Sequence, residues 1–204
     1  MTQPDHASHF IPGTDPAKSP LVLLHGSGGN EHEQIPLAQE LAPGSAILGL
    51  RGTVSIDGGH AFFHRFPDRT IDEADIAARA PVLADFIQAR LDSLGLVAAP
   101  IAIGYSNGAI MTAALLLTRP GLLRAAILLR PLSPFKDDPP VRLDGKRVLI
   151  LDGEKDSRRA AGDGRRLAER LRKAGAVVDH HVLPCGHAIT PADRDIAREW
   201  LGRT

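Results

Sequence analysis

Three stretches of this chain carry side chains that could do covalent chemistry together. The first is Gly104-Tyr105-Ser106-Asn107-Gly108, a G-x-S-x-G. The second is Cys185-Gly186-His187, and between the two falls Asp152-Gly153-Glu154-Lys155-Asp156. A serine hydroxyl is a poor nucleophile until a base takes its proton, and the base needs an acid to orient it. Serine, then carboxylate, then histidine is the chain order in which open α/β sheets assemble acyl-transfer chemistry.

The surroundings of Ser106 suit a strained turn between a strand and a helix. Ile101-Ala102-Ile103 reads as a short buried strand. Ala109 to Leu117 is almost wholly apolar, as in a helix buried on most sides, and it ends at Arg119-Pro120. Gly104 and Gly108 leave room where a Cβ would crowd the turn. The turn puts Ser106 at a helix N-terminus, where free N–H groups favour negative charge. The backbone N–H of Asn107 is then one donor to an oxyanion. A second donor is expected from the loop His25-Gly26-Ser27-Gly28-Gly29, which follows the apolar strand Leu21–Leu24. This loop lacks the Gly-Lys-Ser/Thr of a phosphate-binding loop. Its N–H donor is read as Ser27, with Gly28 the alternative, and the Ser27 side chain plays no part.

Nine histidines compete for the role of base. His6 and His9 lie in a polar N-terminal stretch, His25 reads as a brace inside the glycine loop, and His180 and His181 lie within a strand. His187 follows the last strand, on the edge of the sheet where Ser106 emerges, and is the candidate. Among the carboxylates Asp152 sits almost in the strand and Glu154 just past its glycine. Asp156 lies far enough along the loop to reach a histidine, so it is favoured over Glu154. It could instead cap a helix beginning near Ser157.

These residues need a scaffold, and the apolar pattern supplies one. Further buried strands are predicted at Ala46–Leu50, Ala125–Leu129, Arg147–Leu151 and Val177–Leu183, with Phe10-Ile11 as an edge candidate. Helices are predicted at Glu33–Leu41, Ile71–Leu94, Arg165–Lys173 and Pro191–Leu201, with Pro81 liable to split the second. Strands alternating with helices imply parallel pairing and right-handed crossovers. The fold class is therefore α/β, a mostly parallel central sheet with helices on both faces and no large lid. No repeat or linker divides residues 1–204, which read as one domain.

Composition narrows the partners. Lys+Arg and Asp+Glu are 24 each, so no net charge points to nucleic acid. One cysteine fits a reducing compartment, and no signal peptide or membrane-length apolar run is seen. A cytoplasmic protein is expected, acting on a small-molecule ester, with a second copy of the chain the one macromolecular partner allowed for. No cofactor is implied, and the histidines show no metal-ligand spacing.

At this point the chain resembles the α/β-hydrolases of the small carboxylesterase/lysophospholipase group, and within it bacterial hydrolases of the hydroquinone- and copper-inducible type. The resemblance rests on L-H-G-S-G-G-N-E near the start, G-Y-S-N-G-A at the turn, L-R-P after the next strand, and G-H-A-I-T-P near the end. It implies Ser106 as nucleophile, His187 as base, Asp156 as acid, and Ser27 and Asn107 as oxyanion-hole donors. One feature departs from the pattern. Relatives usually follow the acid with an apolar stretch ending in proline, whereas here Ser157-Arg158-Arg159 follows.

Other residues bear on specificity. Arg130 ends a strand on the catalytic edge and either meets an anionic substrate or pairs with a neighbouring carboxylate. Phe62 and Phe63, with Phe66 nearby, either pack onto the body as a satellite core or wall a compact apolar pocket for short acyl groups. Cys185 reads as a small packing residue. The expected reaction is two-step ester hydrolysis through an acyl-enzyme. A lysophospholipase or acyl-thioesterase with a longer groove, and a non-catalytic binding protein on the same scaffold, are the competing readings.

Overall fold

The computed structural model describes residues 6–56 and 58–204. In chain order its elements are β1 (Ser8–Ile11), β2 (Leu21–Leu24), α1 (Ile35–Leu41), β3 (Ile47–Leu50), β4 (Val54–Ile56) and β5 (Gly59–Ala61). They continue as α2 (Glu73–Ser93), β6 (Ile101–Tyr105), α3 (Asn107–Thr118), β7 (Ala125–Leu129), β8 (Arg147–Gly153), α4 (Asp163–Lys173), β9 (Val177–Leu183) and α5 (Pro191–Gly202). Seven strands form one sheet in the order β1-β3-β2-β6-β7-β8-β9, parallel throughout except for β1, which pairs antiparallel with β3.

Period-two alternation decides which residues face which layer. Val22, Leu24, Ala102, Ala126, Leu128, Val148 and Ile150 point into one core with α2, α3 and α4. Leu21, Leu23, Ile101, Ile103, Ile127, Leu149 and Leu151 point into the other, against α1 and α5. Both faces are thus covered, which is why the central strands are continuous apolar runs. Helix α3 is buried along nearly its whole length, as its sequence requires.

One expectation needs correction, and one pair of strands was not anticipated. Pro81 does not split α2, which runs unbroken over 21 residues. One lost backbone bond is outweighed by the buried stripe Ile76, Ala80, Leu83, Ala84, Ile87 and Leu91. In the segment after β3, residues 51–70, β4 and β5 form a hairpin that no predicted strand covered. That hairpin docks on the glycine loop: Gly28 N–H donates to His60 O at 2.9 Å and His60 N–H to Gly29 O at 3.1 Å. The link between β7 and β8 holds no helix or strand. No helix among the described residues is long and apolar enough to cross a membrane.

Candidate active site

Parallel strands bring the carboxyl ends of β6, β8 and β9 to one edge of the sheet, and the candidate side chains leave from those ends. Ser106 stands between β6 and α3 with φ 53° and ψ −107°, a conformation that a non-glycine residue adopts only when its surroundings impose it. What imposes it is close packing on both sides. A Cβ on Gly104 would lie 2.6 Å from Gly108 O, and one on Gly108 would lie 2.2 Å from Leu24 O. The N–H of Ser106 is spent on Leu129 O at 2.9 Å, tying the turn to β7. The backbone N–H groups of Asn107 and Ser27 have no backbone partner among the described residues and remain free to donate.

Three side chains form a continuous hydrogen-bonded line. Ser106 Oγ lies 2.9 Å from His187 Nε2, and His187 Nδ1 lies 2.7 Å from Asp156 Oδ2. With Nδ1–H donating to the carboxylate, Nε2 is left as the acceptor for the serine hydroxyl. Asp156 is buried and its other oxygen takes the N–H of Arg158 at 2.8 Å. The two rival carboxylates are elsewhere. Asp152 pairs with His180 at 2.6 Å, and Glu154 is exposed.

Burial lowers the pKa of His187 below its ordinary 6.5. Asp156 pulls it upward through the hydrogen bond and its charge, while Arg159 and Arg158 push it down. The net result is an imidazole that is neutral at pH 7 and therefore able to accept a proton. The Tyr105 hydroxyl donates to the His187 carbonyl at 3.2 Å and helps to fix the loop.

Of the two readings of Arg130, the structure draws the pairing with a carboxylate. Arg130 is fully buried and holds Asp193 through both terminal nitrogens, each at 2.8 Å, so it is not open to a substrate. Burial disfavours its charge, but the paired carboxylate outweighs this and its pKa is raised. The same guanidinium donates to Gly186 O at 3.1 Å and Ala188 O at 2.9 Å, the carbonyls on either side of His187. It also donates to Leu151 O on β8. Arg130 is thus a clamp on the histidine loop, a role that a strand-end arginine in a sequence does not announce.

Phe62 and Phe63 likewise fall on the packing side of their two readings. Each is 1% exposed and sits in the core with α2 and α3, while Phe66 is 51% exposed. At that exposure neither ring faces an open pocket: His25 packs on Phe62, and Arg65 lies over Phe63 at 5.7 Å. His25 braces the glycine loop: its Nε2 accepts the Gly52 N–H at 3.0 Å, its Nδ1 lies 2.6 Å from Gly26 O, and its ring packs on Phe62. Cys185 Sγ receives Arg130 Nη2 at 3.2 Å. Among the described residues no cluster of three or more His, Cys, Asp or Glu side chains could hold a metal ion.

Two residues gain parts that the sequence reading did not give them. The Asn107 side chain, fully buried, accepts the Phe62 N–H at 2.7 Å. Arg159 reaches Ser106 itself, its Nη2 donating to Oγ at 3.2 Å. The departure Ser157-Arg158-Arg159 was the visible signal for the second. The first had none.

The arrangement can carry out acyl transfer: a hydroxyl on a base, a base on an acid, and free N–H groups nearby for an oxyanion. Known proteins of similar sequence and shape fit that chemistry. No family model matches the chain. It is 35% identical over 184 residues to "Putative hydrolase MhqD" of Bacillus subtilis (strain 168), covering 88% of this chain and 90% of that one. The crystal structure of the Bacillus cereus carboxylesterase superposes with a TM-score of 0.93 at 33% identity, over 97% of this chain and 94% of the other. A carboxylesterase from Mesorhizobium loti gives a TM-score of 0.88 at 32% identity, over 94% and 91%.

Proposed function

Since the chain belongs to the carboxylesterase group of the α/β-hydrolases, we propose that it hydrolyses small carboxylic esters through an acyl-enzyme on Ser106. His187 Nε2 takes the Ser106 proton as Oγ attacks the ester carbonyl. Asp156 holds the imidazole in the required tautomer and offsets the charge of the imidazolium. The N–H groups of Asn107 and Ser27 receive the oxyanion, helped by the N-terminus of α3. The imidazolium then gives its proton to the leaving alcohol. Water, deprotonated by the same histidine, frees the acid and restores Ser106.

One observation carries this reading: the unbroken line Ser106–His187–Asp156, with spacings of 2.9 and 2.7 Å, at a strained turn that aims the serine out of the sheet. The small-ester part is supported by the β7–β8 link, which has no helix to roof a long acyl chain. Ser106→Ala should abolish both ester hydrolysis and labelling by a fluorophosphonate probe while the fold persists. Labelling of the alanine variant at the wild-type rate would overturn the proposal.

A further inference from the structure

Arg159 is an arginine with its hands only partly full. A guanidinium has five N–H groups. Here Nε donates to Arg130 O at 2.8 Å, Nη1 to Arg158 O at 3.0 Å and Nη2 to Ser106 Oγ at 3.2 Å. One N–H on each terminal nitrogen has no partner among the described residues. The nearby carboxylates are engaged with others: Asp156 with His187, Asp163 with Arg166 and Asp152 with His180.

A second cation stands near it in the same condition. Arg65 donates to Arg69 O at 2.8 Å and lies 5.7 Å over the Phe63 ring, with no ion pair among the described residues. Its pKa is pushed down to about 10, by burial first and then by the charges of Arg159 and Arg69. Burial disfavours the charge of Arg159 while Asp156, Asp163 and Asp152 favour it, yet none of these carboxylates accepts a hydrogen bond from its two spare N–H groups, which are left for an incoming acceptor beside Ser106. The backbone bonds from Nε and Nη1 hold the Arg159 fork in place in advance, which lowers the cost of binding.

We propose that Arg159, seconded by Arg65, receives a carboxylate of the substrate, so that the preferred ester is a short dicarboxylic half-ester. This deepens the esterase reading and rests on Ser106 being the nucleophile. A planar carboxylate matches two parallel guanidinium N–H groups. Arg159 touches Ser106 Oγ, the atom that becomes the ester oxygen of the acyl-enzyme. The proposal puts the charge on the acyl side, which stays bonded to Oγ in the acyl-enzyme, a few bonds from the reacting carbonyl. No bond-making step is added; the same acyl transfer runs with one end of the acid anchored.

The test compares monoethyl succinate with ethyl valerate, close in length and differing in charge. Wild type should favour the half-ester in kcat/KM by about tenfold or more, the scale of a hydrogen bond to a charged group. In Arg159→Gln that ratio should fall toward unity, and Arg65→Gln should lower it less. A merely structural arginine would depress both esters alike and leave the ratio unmoved. Succinate should inhibit competitively and more tightly than inorganic phosphate; tighter phosphate inhibition would overturn the carboxylate assignment. A wild type that is labelled by fluorophosphonate and hydrolyses ethyl valerate but prefers it to the half-ester would overturn this inference alone. Loss of labelling and of both hydrolyses would instead remove the esterase reading beneath it.

Discussion

The side chain of Asn107 accepts the N–H of Phe62 at 2.7 Å, joining the residue after the candidate nucleophile to the loop that follows the β4–β5 hairpin. Asn107 therefore has two separate duties. In the proposed mechanism its backbone N–H receives the oxyanion, and its side chain fixes where that backbone lies. Asn107→Ala leaves the Phe62 N–H buried without a partner, at a cost of about 1–3 kcal/mol. Thermal unfolding should register that loss. Alongside it kcat should fall more than KM rises, because a misplaced donor weakens the transition state rather than substrate binding. A KM effect with kcat intact would disconnect the side chain from the hole.

The acid can be identified by comparing three amide substitutions. Asp156→Asn should lower kcat on the order of ten-thousand-fold, since an amide beside Nδ1 favours the wrong imidazole tautomer. Glu154→Gln should cost little, because Glu154 is exposed. Asp152→Asn removes the negative charge facing His180 and should act on stability more than on turnover. The reverse ranking would move the role to Glu154.

The pH profile follows from the surroundings of His187. Acting as a base, it must be neutral, which holds above its pKa. Burial places that pKa below 6.5, with Asp156 pulling up and Arg159 and Arg158 pushing down. The kcat/KM of wild type, measured between about pH 5 and pH 8, should be flat at neutrality and fall only on the acid side of the usual imidazole value. Arg159→Gln takes away a downward push, so its acid limb should move to higher pH. An unmoved limb would mean that the guanidinium charge does not reach the imidazole.

Arg130→Met removes one half of a fully buried ion pair and strands Asp193. The expected loss of stability is about 3–5 kcal/mol. Adding Asp193→Leu should recover only part of this, because Asp193 also takes the N–H of Thr190 at 2.7 Å in the capping box of α5. Full recovery in the double variant would show that the capping box matters little.

Acyl length gives the last comparison. Among neutral p-nitrophenyl esters, kcat/KM should peak at chains of roughly two to six carbons, each methylene helping only while the protein covers it, and the β7–β8 link has no helix to cover a longer one. A preference for palmitoyl esters would restore the lysophospholipase or thioesterase reading. Phe62→Ala should act as a core deletion, costing about 3–5 kcal/mol without changing the length preference.

The parts of the site legible in the sequence are those where local chemistry and period agree. Gly104 and Gly108 flank a serine between an apolar strand and an apolar helix, and each glycine is needed for a close approach within a few residues or to the neighbouring strand. The candidate acid and base follow strands whose ends topology must align. What was not legible depends on where loops fold back. Arg130 could be placed at the edge of the sheet but not aimed, because its direction is set by the Asp193 carboxylate of α5 and by carbonyls of the histidine loop and β8. The β4–β5 hairpin was missed because its strands are three residues each and rely on the glycine loop for support. Phe62 and Phe63 offered two readings until a core closed around them.

Ser106 and His187 are 81 residues apart in the chain, and β7 and β8 lie between their strands in the sheet. The contact cannot form locally. It exists only once β9 has docked on β8, and β8 on β7. During synthesis the serine turn and its helix emerge well before the histidine, so a fragment ending ahead of β9 carries an elbow with no base and should be chemically silent. Covalent labelling of Ser106 would then count molecules whose sheet has closed. A refolding reaction sampled with a fluorophosphonate should gain labelling no earlier than its slowest strand-docking phase, even where helical signal has already returned.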